Sequence, residues 1–589
     1  MVSFLMQMLK SLWQVRIDWF WPIWIIITAV AAIGVARLVG QAPTRTVEKD
    51  KVAEIRSRHG YYFSGGTVAA LAVVFLLLVC YAVLLKWEDF ADWDDCYLTI
   101  STLKGVHLRP MIWPWNGRFW PLGDQEFNLI CHFTRSAAGF HLIPIVQLLV
   151  VSCILFVLDD ELSITARLVL TALVLTLPSI VTSFTGLVYQ ERNVVFWLAL
   201  VLFFVKLFEK TQSTTWAVAA AICAQIMIYY KETAFLLLMG FAVGRLILRY
   251  RRPGTRGWDR SRLRDKQARL DLCLISLGLL FLLYYAAVMT PHVNMRFADE
   301  QKVPLVDVFL YYFRLDPLVW LFVAIVLTRV YLILRGKVVP SPFWDGVALG
   351  GVGCFSAYLY LHMCRAWYLT PVDFIAVLYV GRLTVVSLEK MQLSVKAAIL
   401  VMVFFVSLYD TSLSAFRVFE RENLICAKAE LADAVAAQCW DSVRHVQRLF
   451  FPFSSLYLIT EFASYLVYRG IPVEGYGTVS EVGAMNGFLI ISKAFAGDGP
   501  CVDYRKFTCH AGSEPEQGDL VIELPDDLES QAEINLYRKG GELLYFYEPR
   551  PHIPQWIYPF FSRLRIVSYR CRFRELPDRW LQSSLTRWK

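Results

Sequence analysis

The sequence predicts an α-helical polytopic membrane protein of about twelve transmembrane helices, followed by a C-terminal α+β domain outside the membrane. Three observations carry that prediction. Of the 589 residues, 57% are hydrophobic and 18% charged, against roughly 45–50% and about 25% in soluble domains. Apolar runs of about 20 residues, enough to cross a hydrocarbon layer roughly 30 Å thick, recur from Trp19 to about Asp410. Past that point the runs give way to short amphipathic segments. The composition excludes a purely soluble enzyme, a disordered regulator and a nucleic-acid binder with a basic face. The net charge of +8 reads first as the basic loops of a membrane protein.

The expected spans start near Trp19, Thr67, Gly139, Thr165, Asn193, Trp216, Thr233, Leu270, Pro317, Phe343, Pro371 and Val395. Several are short, and the pair around Lys231–Glu232 also reads as one broken helix. The loop from Arg249 to Arg269 holds nine Lys/Arg against two Asp, which assigns it to the cytoplasm. Counting spans from that loop, the basic stretch 41–66 is also inside. Segments 86–138, 184–192, 291–315 and 362–370 fall outside, with everything after about Asp410. The same parity puts the N-terminus outside despite Lys10 and Arg16. Residues 1–18 lack the pattern of a cleavable signal peptide. The chain thus divides into 1–66, an extra span and basic loop; 67–410, the main transmembrane domain with its large outer loop 86–138; and 411–589, the outer domain. The protein is expected in the inner (plasma) membrane as a multi-pass protein.

Within 411–589, Val418–Phe450 and Ser454–Tyr468 read as amphipathic helices, the second with Ser454 as N-cap. Glu533–Arg538 and Glu542–Glu548 alternate around Lys539-Gly540-Gly541, a hairpin signal. Arg563–Lys589 carries eight basic residues among aromatics, a solvated face or a contact for anionic lipid headgroups. Gly346-x-x-x-Gly350 suits close helix approach. Of 13 Cys, several sit in apolar runs as small hydrophobes, and Cys501 with Cys509 is a disulfide candidate if that region is extracytoplasmic.

Charge gathers on the outer side. Glu88, Asp89, Asp92, Asp94 and Asp95 follow one span directly. Adjacent carboxylates repel, which raises the proton affinity of one of them and suits proton transfer; a solvated acidic loop or a cation site is the alternative. The loop continues through aromatic residues to Asn116-Gly117-Arg118-Phe119-Trp120-Pro121, longer than a plain connector needs. Tyr189-Gln190-Glu191-Arg192, Lys231-Glu232, and His362, Arg365 and Tyr368 reach the same side. Ionisable groups at membrane depth are costly and are either paired or functional. Cations beside carboxylates under a lipid-accessible wall suit an enzyme that takes a lipid phosphate.

The order of these parts resembles the GT-C superfamily of membrane glycosyltransferases, which use polyprenyl-phosphate sugars. Asp94-Asp95 followed by Tyr97 sits where that family has an acidic pair in its first large outer loop. Asn116–Pro121 resembles a Gly-Arg-Phe-x-Pro stretch of some bacterial members, Tyr230-Lys231-Glu232-Thr233 a Lys-Glu at a helix junction, and Arg365–Pro371 an Arg/Tyr-rich approach to a late span. The resemblance covers roughly 67–410, and the extra span before Thr67 departs from the simplest layout. It implies that Asp94 or Asp95 is the general base. It also implies that Arg192, Lys231 and Arg365 hold the donor phosphate, while Tyr189, Glu191, Glu232, Tyr368 and Arg118 line the cavity or orient those cations. The implied reaction is a single inverting displacement from a polyprenyl-phosphate sugar to a glycan, lipid or protein acceptor. A divalent metal is left open at Asp94 and Asp95; His107, His132 and His141 are read as structural. Membrane lipids are expected partners and nucleic acid is not. The competing readings are a transporter or flippase of lipid-linked sugars, whose sign would be matching halves with broken helices, and an O-antigen polymerase or ligase, which centres on a large late loop. No matching halves are visible, and here the large loop is early and acidic.

Overall fold

The computed structural model describes residues 20–41, 65–87, 89–90, 95, 102–103, 107–113, 117–250, 265–289, 304–363, 365–388, 393–441, 446–451, 456–471, 473–481, 484–492, 508–511, 515, 517–523, 534–538 and 542–547. The helical part runs α1 (Phe20–Gly40), α2 (Gly65–Trp87), a hairpin of β1 (Met111–Trp113) and β2 (Arg118–Trp120), α3 (Gln125–Ile130), α4 (Ala137–Leu158), α5 (Ile164–Leu175) and α6 (Pro178–Thr185). It continues through α7 (Gln190–Thr211), α8 (Thr214–Ile228), α9 (Ala234–Tyr250), α10 (Lys266–Met289), α11 (Leu305–Leu315), α12 (Pro317–Leu334), α13 (Pro342–Tyr360), α14 (Thr370–Leu388) and α15 (Leu393–Asp441).

Every expected span start falls at the head of one of these helices. By length and apolarity, however, six of the described helices can cross a membrane, or seven if α5 and α6 form one span bent by 63°. The others fall short for identifiable reasons. Helix α7 carries Glu191 and Arg192 in its first turn and Lys206, Glu209 and Lys210 near its end, and α8 is only 15 residues long. Pro178 opens α6; a proline disfavours helical backbone in the residue before it, so α5 stops and the chain bends.

Helices α9 and α13 pack through glycines on both sides. A Cβ on Gly350 would lie 2.5 Å from the Leu237 carbonyl oxygen, and one on Gly240 would lie 2.6 Å from the Gly350 Cα. The Gly346 and Gly350 pair expected to allow close approach meets Gly244 and Gly240 of α9, which show the same i, i+4 spacing. Substituting Gly350 by Ala is expected to destabilise the protein by about 1–3 kcal/mol through forced separation of the two backbones, seen as a lowered thermal midpoint in detergent.

At the end of the bundle beyond Gly40, α7, α9 and α10 are tied by buried ion pairs. Arg245 reaches Glu209 at 2.8 Å and Asp271 at 3.1 Å, and Arg249 reaches Glu209 at 3.1 Å. Helix α1 runs from Phe20, beside the Tyr229 ring at 6.1 Å, down to Gly40 beside Thr214, so its first residues lie at the opposite end from these ion pairs.

The C-terminal part contains β3 (Val446–Phe451), α16 (Leu456–Tyr468), β4 (Val473–Glu481), β5 (Ala484–Ser492), β6 (Thr508–Ala511), β7 (Leu520–Glu523), β8 (Ile534–Arg538) and β9 (Glu542–Tyr547). They form one seven-stranded sheet in the order β6-β4-β5-β3-β7-β8-β9, with β3–β7 and β4–β6 parallel and the other pairs antiparallel. The hairpin expected around Lys539 is β8–β9, with Arg538 opposite Glu542. The helix expected over Val418–Phe450 ends at Asp441 as the last part of α15, and Val446–Phe451 is a strand. Its Leu449, Phe450 and Phe451 are all buried. A strand covered on both faces shows a continuous apolar run, which lacks the alternation that separates strand from helix. Ser454, Cys501 and the basic stretch 563–589 lie outside the described residues.

Candidate active site at one end of the bundle

Four pieces of chain meet at the end of the bundle away from the Arg245 ion pairs. They are the β1–β2 hairpin, the first turn of α7, the break between α8 and α9, and the short 3-10 turn Ala366–Leu369. The break exists because α8 ends at Ile228 and α9 starts at Ala234, which leaves Tyr229–Thr233 to turn and present two charged side chains. The loop after β2 docks on it: Leu122 N–H donates to the Tyr229 carbonyl at 3.2 Å. Phe119 supports that contact, packing its ring against Tyr229, Phe281, Tyr284 and Tyr285.

Two ion pairs form the centre. Lys231 Nζ lies 2.8 Å from Glu191 Oε1, with side chains 8% and 2% exposed. Arg118 Nε donates to Glu232 Oε1 at 2.9 Å, and the Phe119 N–H donates to the same oxygen at 3.0 Å. Tyr368 joins them, its ring 4.6 Å from Lys231 Nζ. Tyr368 stacks on Tyr358 at 5.5 Å, whose hydroxyl is 2.8 Å from Thr233 Oγ1. Trp120 lies under Arg118, 4.0 Å from the guanidinium carbon to the ring centre.

The two pairs share one electrostatic neighbourhood. Burial raises the Glu232 pKa, but Arg118 and then Lys231 more than offset it, so its carboxyl is held below the usual value. Burial disfavours the charged form of Lys231 and Arg118 opposes it too, yet Glu191, with Tyr368 and Glu232, outweighs both and raises its pKa. Arg118 behaves likewise, with Glu232 the main stabilising charge. Lys231, Arg118 and Glu232 therefore stay ionised at neutral pH.

Arg365 is half-buried beside this centre, its guanidinium carbon 5.4 Å from the Trp367 ring. Trp367 in turn packs against Tyr189 at 5.0 Å. The structure thus gathers Arg118, Glu191, Lys231, Glu232 and Tyr368, with Trp367 on the same 3-10 turn as Tyr368, Arg365 just before it, and Tyr189 at the start of α7 packed on Trp367.

Arg192 does not fit the phosphate-holding role expected of it. It is fully buried, and its guanidinium points back at the end of α6. There it donates to the Gly186 carbonyl at 3.0 Å, to the Leu187 carbonyl, and to Glu126 Oε1 at 2.8 Å. Glu126 also accepts from Asn193 Nδ2 at 2.8 Å, Asn193 Oδ1 accepts from Gln147 at 2.7 Å, and Gln190 Nε2 donates to Asp124 at 2.5 Å. Sequence reasoning missed this network, although Asp124 and Glu126 stand in the same outer loop as the acidic run. Arg192→Met is expected to cost about 3–5 kcal/mol of stability, because it leaves the Glu126 carboxylate and two carbonyls short of a donor. Chemical unfolding in detergent would measure it.

Asp95 is fully buried; Asp94 lies outside the described residues. His107 and His132 are exposed, and His141 is buried in α4. Among the described residues, no three His, Cys, Asp or Glu side chains gather to hold a metal ion.

The fold and this site define a class: a polytopic helical membrane protein with paired cations, carboxylates and tyrosines enclosed at one end of its bundle. No family model and no curated protein matches the chain. Solved structures similar to it in chain course include two. One is ArnT from Cupriavidus metallidurans bound to undecaprenyl phosphate, at 14% identity and TM-score 0.38, covering 69% of this chain and 76% of that one. The other is the Archaeoglobus fulgidus oligosaccharyltransferase in complex with Zn and sulfate, at 13% identity and TM-score 0.37, covering 70% of this chain and 60% of that one. Likeness at this level assigns no residue a role and no substrate.

Proposed function

We propose that the protein is an inverting membrane glycosyltransferase of GT-C type. It moves a sugar from a polyprenyl-phosphate donor to a glycan, lipid or protein acceptor on the outer face of the membrane. The observation that carries this reading is the joined pair Lys231–Glu191 and Arg118–Glu232 against Tyr368. Two fixed cations in a mostly dry setting stabilise charge that develops on a leaving phosphate, and they need no reorganisation when it appears. Glu191 and Glu232 orient them, and Tyr368 walls the cavity. Arg365 completes the cation set, and Arg192 braces α7 against α6 rather than touching substrate.

In the reaction, an acceptor hydroxyl attacks the anomeric carbon. The bond from that carbon to the phosphate oxygen breaks, the electron pair leaves with the phosphate, and Asp94 or Asp95 takes the hydroxyl proton. A divalent metal at those carboxylates would add charge neutralisation; no step above needs it.

The test is direct. Purified protein in lipid nanodiscs is incubated with a radiolabelled polyprenyl-phosphate sugar and an extract of envelope glycans and lipids. Label should leave the donor in the presence of acceptor. Label that stays on intact donor but crosses a sealed vesicle membrane would instead establish a flippase.

A further inference from the structure

The start of the acidic run is held from the C-terminal part of the chain. Asp89 and Phe90 come one residue after α2, six and five positions ahead of Asp95. Phe90 is fully buried, its ring 5.9 Å from Phe140 of α4 and 5.0 Å from Tyr468 of α16. Lys428, on the far part of α15, is 3% exposed and donates from Nζ to the Phe90 carbonyl at 3.0 Å. The same ammonium lies 5.1 Å from the centre of the Tyr465 ring. Tyr465 OH donates to Asp89 Oδ2 at 2.7 Å, while Asp89 Oδ1 accepts from the Phe90 N–H at 2.8 Å. Arg469 adds a longer approach to Asp89 at 4.0 Å and pairs with Asp433 of α15 at 2.5 Å. One apolar core joins Phe90, Phe127, Phe140 and Leu187 of the bundle end to Leu431, Val435, Phe462 and Leu466 of α15 and α16.

Burying an ammonium costs several kcal/mol unless the site returns it, and the backbone carbonyl of Phe90 and the Tyr465 ring are part of what this site returns to Lys428. Here it fixes the first residues of a segment whose carboxylates lie within a few residues. We propose that Lys428 and Tyr465 are positioning residues, through which the C-terminal part of the chain holds Asp89 and Phe90 and so sets the placement of Asp95, one of the two carboxylates proposed to accept the proton. This rests on the glycosyl-transfer reading for its catalytic consequence and on geometry alone for the holding itself. The C-terminal domain then acts as a brace: an acceptor or partner that shifts α16 shifts the base.

The experiment compares Lys428→Met, Lys428→Arg and Tyr465→Phe in full-length protein in nanodiscs, reading both hydrogen exchange and sugar transfer. Peptides spanning residues 86–103 should exchange about tenfold faster in Lys428→Met. Turnover should fall by about tenfold to a hundredfold with the half-saturating donor concentration unchanged. Tyr465→Phe, which keeps the ring, should show the same pattern more weakly, and Lys428→Arg should recover most of both. Unchanged exchange in both Lys428→Met and Tyr465→Phe would overturn the holding. Faster exchange with full turnover would overturn its link to the reaction. A wild-type protein that transfers no sugar sinks the glycosyl-transfer reading instead, and the exchange result still decides whether these residues hold the run.

Discussion

Removing the charge of Lys231 is expected to lower sugar transfer by about a hundredfold to a thousandfold, the size of effect seen when one fixed donor to developing negative charge is lost. The substitution has to be made in pairs. Lys231→Met alone strands the Glu191 carboxylate at 2% exposure, and an unpaired buried charge costs about 3–5 kcal/mol. Loss of activity would then report unfolding. Lys231→Met with Glu191→Gln removes both charges and keeps the volume, so the double variant should recover most of the thermal stability and none of the turnover. Donor affinity, measured by quenching of tryptophan fluorescence, should weaken less than turnover, since the cation acts mainly as the phosphate leaves. A double variant that turns over within about threefold of wild type would remove Lys231 from the reaction. The Glu232 partner set gives a second check with the opposite logic. Glu232 accepts from both Arg118 and the Phe119 backbone, so its loss loosens the hairpin as well as the cation.

The helices were legible because an apolar run of span length has few other ways to fold, and the starts near Thr165 and Pro317 needed nothing more than that. The β8–β9 hairpin was legible through Lys539-Gly540-Gly541 between alternating segments. Strand β3 was not, because burial on both faces erases alternation. At the site, the chain positions were legible and their pairing was not. Lys231 and Arg192 look alike in sequence, each a single cation next to a glutamate at a helix junction. Only the fold separates them. Arg192 turns back to the end of α6 and to Glu126, 66 residues away, and both terminal nitrogens of its guanidinium are bonded there. Lys231 reaches Glu191 across the bundle end and faces Tyr368. The Arg118–Glu232 contact spans 114 positions, a distance over which neither periodicity nor composition carries information. The same holds for Lys428 and Phe90, 338 positions apart: a lysine on an amphipathic helix reads as a solvated face until the distant segment is seen against it.

The second large effect belongs to the acidic run. Asn is nearly isosteric with Asp but cannot take a proton, so replacing the base should lower turnover by about a hundredfold to ten-thousandfold while donor binding stays the same. Asp95→Asn and Asp94→Asn have to be compared, because burial differentiates what each change does. Asp95 is fully buried, so removing its charge alters a dry site and should shift thermal stability measurably in either direction. If Asp95 is the base, Asp95→Asn abolishes the acid limb of the pH–rate profile, since that limb reports protonation of the base in the free enzyme. If Asp94 is the base, that limb survives in Asp95→Asn and vanishes in Asp94→Asn. Should both variants keep wild-type turnover with the fold intact, neither carboxylate accepts the proton. The reaction would then have to draw its base from another carboxylate at the same end of the bundle. Glu191 and Glu232 are the nearest to the proposed phosphate cations, but both are already committed to ion pairs. A base taken from either would release one cation as it took up the proton, so its loss would weaken donor binding and turnover together. The split between those two readouts therefore distinguishes a base in the acidic run from a base at the cation centre.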